Sequence, residues 1–144
     1  MNLYSFFSLN QSVNQSDLIY RIEDAECYGM YRGEYWEGLD DVKSGERHPA
    51  PHNDSKLLNE NPDLFHGVEF PSFGSPSFIF GFSSPEQLRN WIYWDEWFVA
   101  LSAAGYRLSI YRGDVRHGYT QAVIDKNTAE LLGSYDLVEF FVGR

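Results

Sequence analysis

The stretch "SFIFGFSSPEQLRNWIYW", Ser77 to Trp94, decides how the chain is read. Ser77–Phe82 is a short apolar run of strand character. It halts at Ser83-Ser84-Pro85, and a helical pattern takes over. Ser84 is placed as an N-cap, Pro85 occupies the first helical position and Gln87 stands three residues after the cap, which is a capping box with a proline start. The serine oxygen and the Gln87 side chain satisfy amides that a new helix leaves bare. The pattern predicts one principal helix over about 85–103, stopped at Gly105 by a left-handed cap. Leu88, Trp91, Ile92, Phe98 and Leu101 supply its apolar face, and Trp97, roughly opposite Leu88, is either an exposed ring or the contact to a second layer.

Upstream, "DLIYRIED" (Asp17–Asp24) alternates Leu18, Tyr20 and Ile22 with Ile19, Arg21 and Glu23, the period of a strand with two distinct faces. Residues 1–16 read as a loosely ordered N-terminal arm, leaving 17–144 as a single domain. An irregular excursion spans about 27–73, with turn residues throughout and one or two helical turns in "DSKLLNENPDLF". Downstream, "YRLSIYRGD" (Tyr106–Asp114) is a strand and "RHGYTQAVID" (Arg116–Asp125) follows it as a hairpin. "KNTAELLGS" reads as a short helix ending at Gly133, and "YDLVEFFVG" (Tyr135–Gly143) as a last strand. The class is α+β, with a mainly antiparallel sheet and one helix packed on it.

The 144 residues fit one domain with a sizeable core. Aromatic residues make up 17% of the chain, enough to fill a core and leave rings for a contact face. The formal net charge of −10 disfavours direct nucleic-acid binding and suits a protein partner with a basic surface. Cys27 is the only cysteine, so no intrachain disulfide forms and a reducing cytoplasm is the expected setting. No stretch approaches the roughly 20 apolar residues that span a membrane.

Few groups announce chemistry. His48, His52 and Asp54 lie in one turn, but Pro49 and Pro51 bar helical ligand spacing, so no metal site is expected. Two Tyr-Arg-Gly turns, at Arg32 and Arg112, read as phosphate cradles or as cations that neutralise nearby carboxylates. No P-loop or dinucleotide glycine fingerprint is present. A Ser-His-Asp set cannot be assigned from spacing, because such groups meet only in the fold.

Two resemblances bear on function. Arg21 on an early strand, Ser83 at a strand end before a helix, and Gln121 on a late strand make the chain resemble the small ADP-ribosyltransferases in outline over residues 18–125. That resemblance implies a mono-ADP-ribosyltransferase-like enzyme using NAD, with Arg21 holding the cofactor, Ser83 lining the nicotinamide pocket and Gln121 near the ribose. The family's carboxylate, needed beside the breaking glycosidic bond, is replaced here by neutral Gln121. The chain also resembles small bacteriophage and prophage proteins of the anti-defence type, including anti-CRISPR proteins. This implies an acidic protein in the host cytoplasm that binds and inhibits a defence or nucleic-acid-handling protein. Its contacts are expected from Tyr31, Tyr35, Trp36, Glu37, Asp40, Asp41 and Trp97, with rings as anchors and acids guiding approach.

Overall fold

The computed structural model describes residues 14–30, 54–61 and 78–143. The expected α+β class holds, but among the described residues the strands form two three-stranded antiparallel sheets, ordered β1-β3-β6 and β2-β5-β4. The strands are β1 (Leu18–Glu23), β2 (Phe78–Gly81), β3 (Arg107–Arg112), β4 (Val115–His117), β5 (Ala122–Asp125) and β6 (Glu130–Tyr135). The helices are α1 (Ser55–Glu60), α2 (Pro85–Trp91) and α3 (Asp95–Ala103), with a 3-10 turn at Gln15–Asp17 and a π-helical turn at Val138–Val142.

One bridge joins β1 to the end of β2. Tyr20 and Phe82 exchange reciprocal N–H···O bonds of 2.8 Å. Gly81 makes that approach possible. A Cβ there would stand 2.8 Å from both Ile19 Cγ1 and the Tyr20 carbonyl oxygen. Strand β1 is therefore enclosed on both faces, as every one of its residues is buried. Leu18, Tyr20 and Ile22 enter the main core with Phe82, Leu88, Trp91, Phe98, Leu101, Leu108 and Ile110. On the opposite face Ile19 packs with Ala122 and Ile124.

The predicted 85–103 helix is two helices. On an uninterrupted helix Leu101 would lie about 140° around the axis from Leu88, off the core-facing stripe. Breaking the helix resets the phase, so that Leu88, Trp91, Phe98 and Leu101 are all buried. The expected ends are present. Ser84 accepts from Gln87 N at 3.0 Å, and Gly105 takes φ +97° after α3. Tyr106 N closes back onto Leu101 O at 3.0 Å, satisfying a carbonyl of the last turn.

Three further expectations are corrected. The residues of "RHGYTQAVID" do not pair with β3; β4 and β5 form their own hairpin in the other sheet, with Gly118 N bonded to Gln121 O. "ELLGSY" is strand β6, because pairing with β3 outweighs its local helical preference. A register shift opposite Ile110 and Tyr111 accommodates the stretch around Gly133. The terminal segment is a π-helical turn rather than a strand. Asp136 Oδ2 accepts from Glu139 N at 2.8 Å and so starts a turn, which buries Phe140.

Candidate functional site

The break between α2 and α3 places two adjacent aromatic rings at the surface. Helix α2 ends when Ile92 N caps Leu88 O and Ile92 goes into the core. The next two residues leave the helical path, and Trp94 adopts extended angles of φ −108° and ψ 139°. Tyr93 and Trp94 are 53% and 51% exposed, and their rings meet edge to face with centroids 5.0 Å apart. Asp95 and Glu96 follow in the first turn of α3, where carboxylates complement the helix dipole. Arg89 pairs with Asp95 across the bend and braces it. The result is an exposed two-ring pair followed directly in the chain by two acids. Rings of this kind bury large area at small entropy cost when a partner covers them.

Trp97 is half-buried and packs against the main core, the second of its two expected placements. Tyr31, Tyr35, Trp36, Glu37, Asp40 and Asp41 lie outside the described residues, as do His48 and His52. The sequence signal for Tyr93 and Trp94 was hidden, because both fall within a span that reads as continuous helix.

A second feature is a buried charged group beside a shallow depression. Arg21 and Glu23, 5% and 4% exposed, pair through Arg21 Nε and Glu23 Oε2 at 3.0 Å. Arg21 also donates to the carbonyls of Phe80 and Cys27. The Tyr111 hydroxyl donates to Glu23 Oε1, and its pKa is pushed up, first by burial and then by that carboxylate. The depression, of about 340 Å³, is lined by Glu23, Cys27, Tyr28, Ile79, Tyr111 and Lys126 among others. Cys27 stands on its rim with φ +68°, in a loop closed by Asp24 Oδ1 accepting from Glu26 N and Tyr28 N.

The three residues expected to form a transferase site are each engaged in the fold. Arg21 is held as just described. Ser83 N donates to Gln87 Oε1 at 2.7 Å, and Ser83 Oγ is 2.6 Å from His117 Nδ1. Gln121 is fully enclosed, with no exposed surface. None of the three lines the depression beside Glu23. Arg112 pairs with Glu130, so this Tyr-Arg-Gly turn neutralises a carboxylate, the second of its expected roles.

Asp54 is part of no ligand set among the described residues. Its carboxylate caps α1 through Leu57 N at 3.2 Å and accepts from Tyr119 N at 3.0 Å, which fixes the β4–β5 turn against α1. Burial alone would raise its pKa, but the hydrogen bonds from Thr120, Tyr119 and Leu57 outweigh burial and hold it below the usual value. Gly118 allows this approach, since a Cβ there would stand 2.5 Å from Asp54 Oδ2. No helix among the described residues is long and apolar enough to cross a membrane.

The chain was compared with known protein families, curated proteins and solved structures. The family model described as "Bacteriophage T4 Y00F protein" matches residues 11–138. No curated protein and no solved structure matches the chain.

Proposed function

The chain belongs to the Bacteriophage T4 Y00F protein family, and on that premise we propose that it is a phage-encoded binding protein that inhibits a host defence or nucleic-acid-handling protein. The observation that carries this reading is the exposed Tyr93–Trp94 pair, followed directly in the chain by Asp95 and Glu96. The partner is a protein with a basic surface, to which a chain of net charge −10 is drawn. Tyr93 and Trp94 act as anchors, and Tyr31, Tyr35, Trp36, Glu37, Asp40 and Asp41 extend the contact. The protein acts in the host cell.

The transferase alternative with NAD gains no observation in its favour. Arg21 is engaged with Glu23, Phe80 and Cys27, and Gln121 is buried.

The test uses the immobilised full chain and host lysate, followed by a binding titration with the retained protein after purification. A one-to-one basic partner whose affinity falls about 30-fold or more with Tyr93→Ala/Trp94→Ala, and falls again as salt rises, supports the proposal. An affinity unchanged by that pair of substitutions sinks the assignment of the surface.

A further inference from the structure

We propose that Ser83 and His117 form a nucleophile–base pair that takes up the acyl group of a small carboxylic ester. The proposal stands apart from the Tyr93–Trp94 surface and does not depend on it. The two residues are 34 positions apart, and the fold brings Ser83 Oγ to 2.6 Å from His117 Nδ1. Ser83 sits where β2 gives way to α2, and His117 is the last residue of β4. Both residues are half-buried, and the contacts at Oγ and at both ring nitrogens hold the two side chains in place.

The other ring nitrogen settles the tautomer. His117 Nε2 is 2.8 Å from the carbonyl oxygen of Ser16. A carbonyl oxygen only accepts, so Nε2 carries the hydrogen. In the neutral ring Nδ1 then presents its lone pair, and the Ser83 hydroxyl donates to it. That is the protonation state a general base requires, with the ring pinned at both nitrogens. The N–H of Ser84, adjacent to the nucleophile, has no hydrogen-bond partner among the described residues, and the proposal assigns it to a developing oxyanion. The N–H of Ser83 itself is occupied by Gln87 Oε1.

In the acylation step Ser83 Oγ bonds to the ester carbonyl carbon as its proton passes to His117 Nδ1. The ester's alkoxy oxygen leaves and takes that proton, departing as the alcohol. Water then attacks the acyl carbon, giving its proton to Nδ1, and the carboxylic acid leaves as the proton returns to Ser83 Oγ. The group behind the imidazole is a neutral carbonyl, which stabilises the imidazolium less than a carboxylate does. With one oxyanion donor besides, both steps are slow, and a good leaving group speeds acylation alone, so a burst and not rapid turnover is the signature with an activated ester.

The probes are p-nitrophenyl acetate and an alkyl fluorophosphonate, applied to the full chain. The expected results are a burst of nitrophenol approaching one equivalent, and a phosphonate adduct on the peptide containing Ser83. Ser83→Ala removes both, and His117→Gln slows adduct formation by about 100-fold or more while circular dichroism is unchanged. Should His117→Gln fail to fold, the pH profile of wild-type labelling decides. A rate that rises as an imidazole loses its proton supports the pair, and a flat profile overturns it. Absence of a Ser83 adduct, or equal labelling with a folded His117→Gln variant, also overturns it.

Discussion

The carboxylate of Asp54 accepts both the backbone N–H of Thr120, at 2.8 Å, and its hydroxyl, at 2.9 Å, across 66 positions of sequence. The same carboxylate starts α1, so one side chain holds a helix and a hairpin turn together. Asp54→Ala removes four hydrogen bonds to a charged acceptor in a buried setting, and a loss of about 3 kcal/mol in urea unfolding is expected. The pH dependence has a definite sign. The folded pKa lies below the ordinary 3.8, so the contribution is fully present above that value and is lost as pH falls through the lower folded one. Asp136, lowered in the same direction by its bond from Glu139 N, adds to this. The unfolding midpoint of the wild type therefore drops below about pH 4, and Asp54→Asn flattens that drop.

Glu23→Ala strands the Arg21 guanidinium in a site that is 5% exposed. Breaking one side of a buried ion pair costs about 3–5 kcal/mol. Replacing both partners, as Arg21→Met with Glu23→Leu, recovers most of it. A thermal melt of the single and double variants measures the difference, and equal losses in both would contradict the pairing.

Gly81→Ala places a methyl group 2.8 Å from the Tyr20 carbonyl oxygen and 2.9 Å from Arg21 Cγ. A backbone oxygen yields little, so a loss of about 1–3 kcal/mol is expected. Amide hydrogen exchange locates the damage: protection at Tyr20 and Phe82 falls more than protection in α3.

Tyr93→Ala and Trp94→Ala remove exposed rings that the core does not use. Their effect on stability stays within about 0.5 kcal/mol, and the loss appears in partner binding alone. Chemical unfolding of each variant, run beside the binding titration, separates the two.

What the sequence revealed was local. The Ser84–Pro85–Gln87 start and the Gly105 stop depend on neighbours within one turn, and both stand where the residues indicated. The break at Tyr93–Trp94 contains no glycine or proline. It answers to the need to bury Phe98 and Leu101, which is a demand of the sheet beneath. Glu130–Tyr135 carries helix-favouring residues but lies along β3, and only that distant strand makes it extended. The Ser83–His117 contact was equally invisible, since nothing in a spacing of 34 residues marks it. The exposed rings among the described residues include Tyr93 and Trp94, neither of which the sequence pattern singled out.

The position of β1 also sets the timing of folding during synthesis. Apart from a local bridge from Glu23 to Gly29, its neighbours are Phe82 on one side and Arg107–Arg112 on the other, both far downstream. As the chain leaves the ribosome, Leu18, Ile19 and Ile22 emerge well before residues 82 and 107–112, the positions with which their strand pairs. Non-local pairings of this kind close late. Native structure around β1 should therefore appear only once residues 107–112 have been made, and nascent chains arrested before residue 107 should remain open to proteolysis within β1.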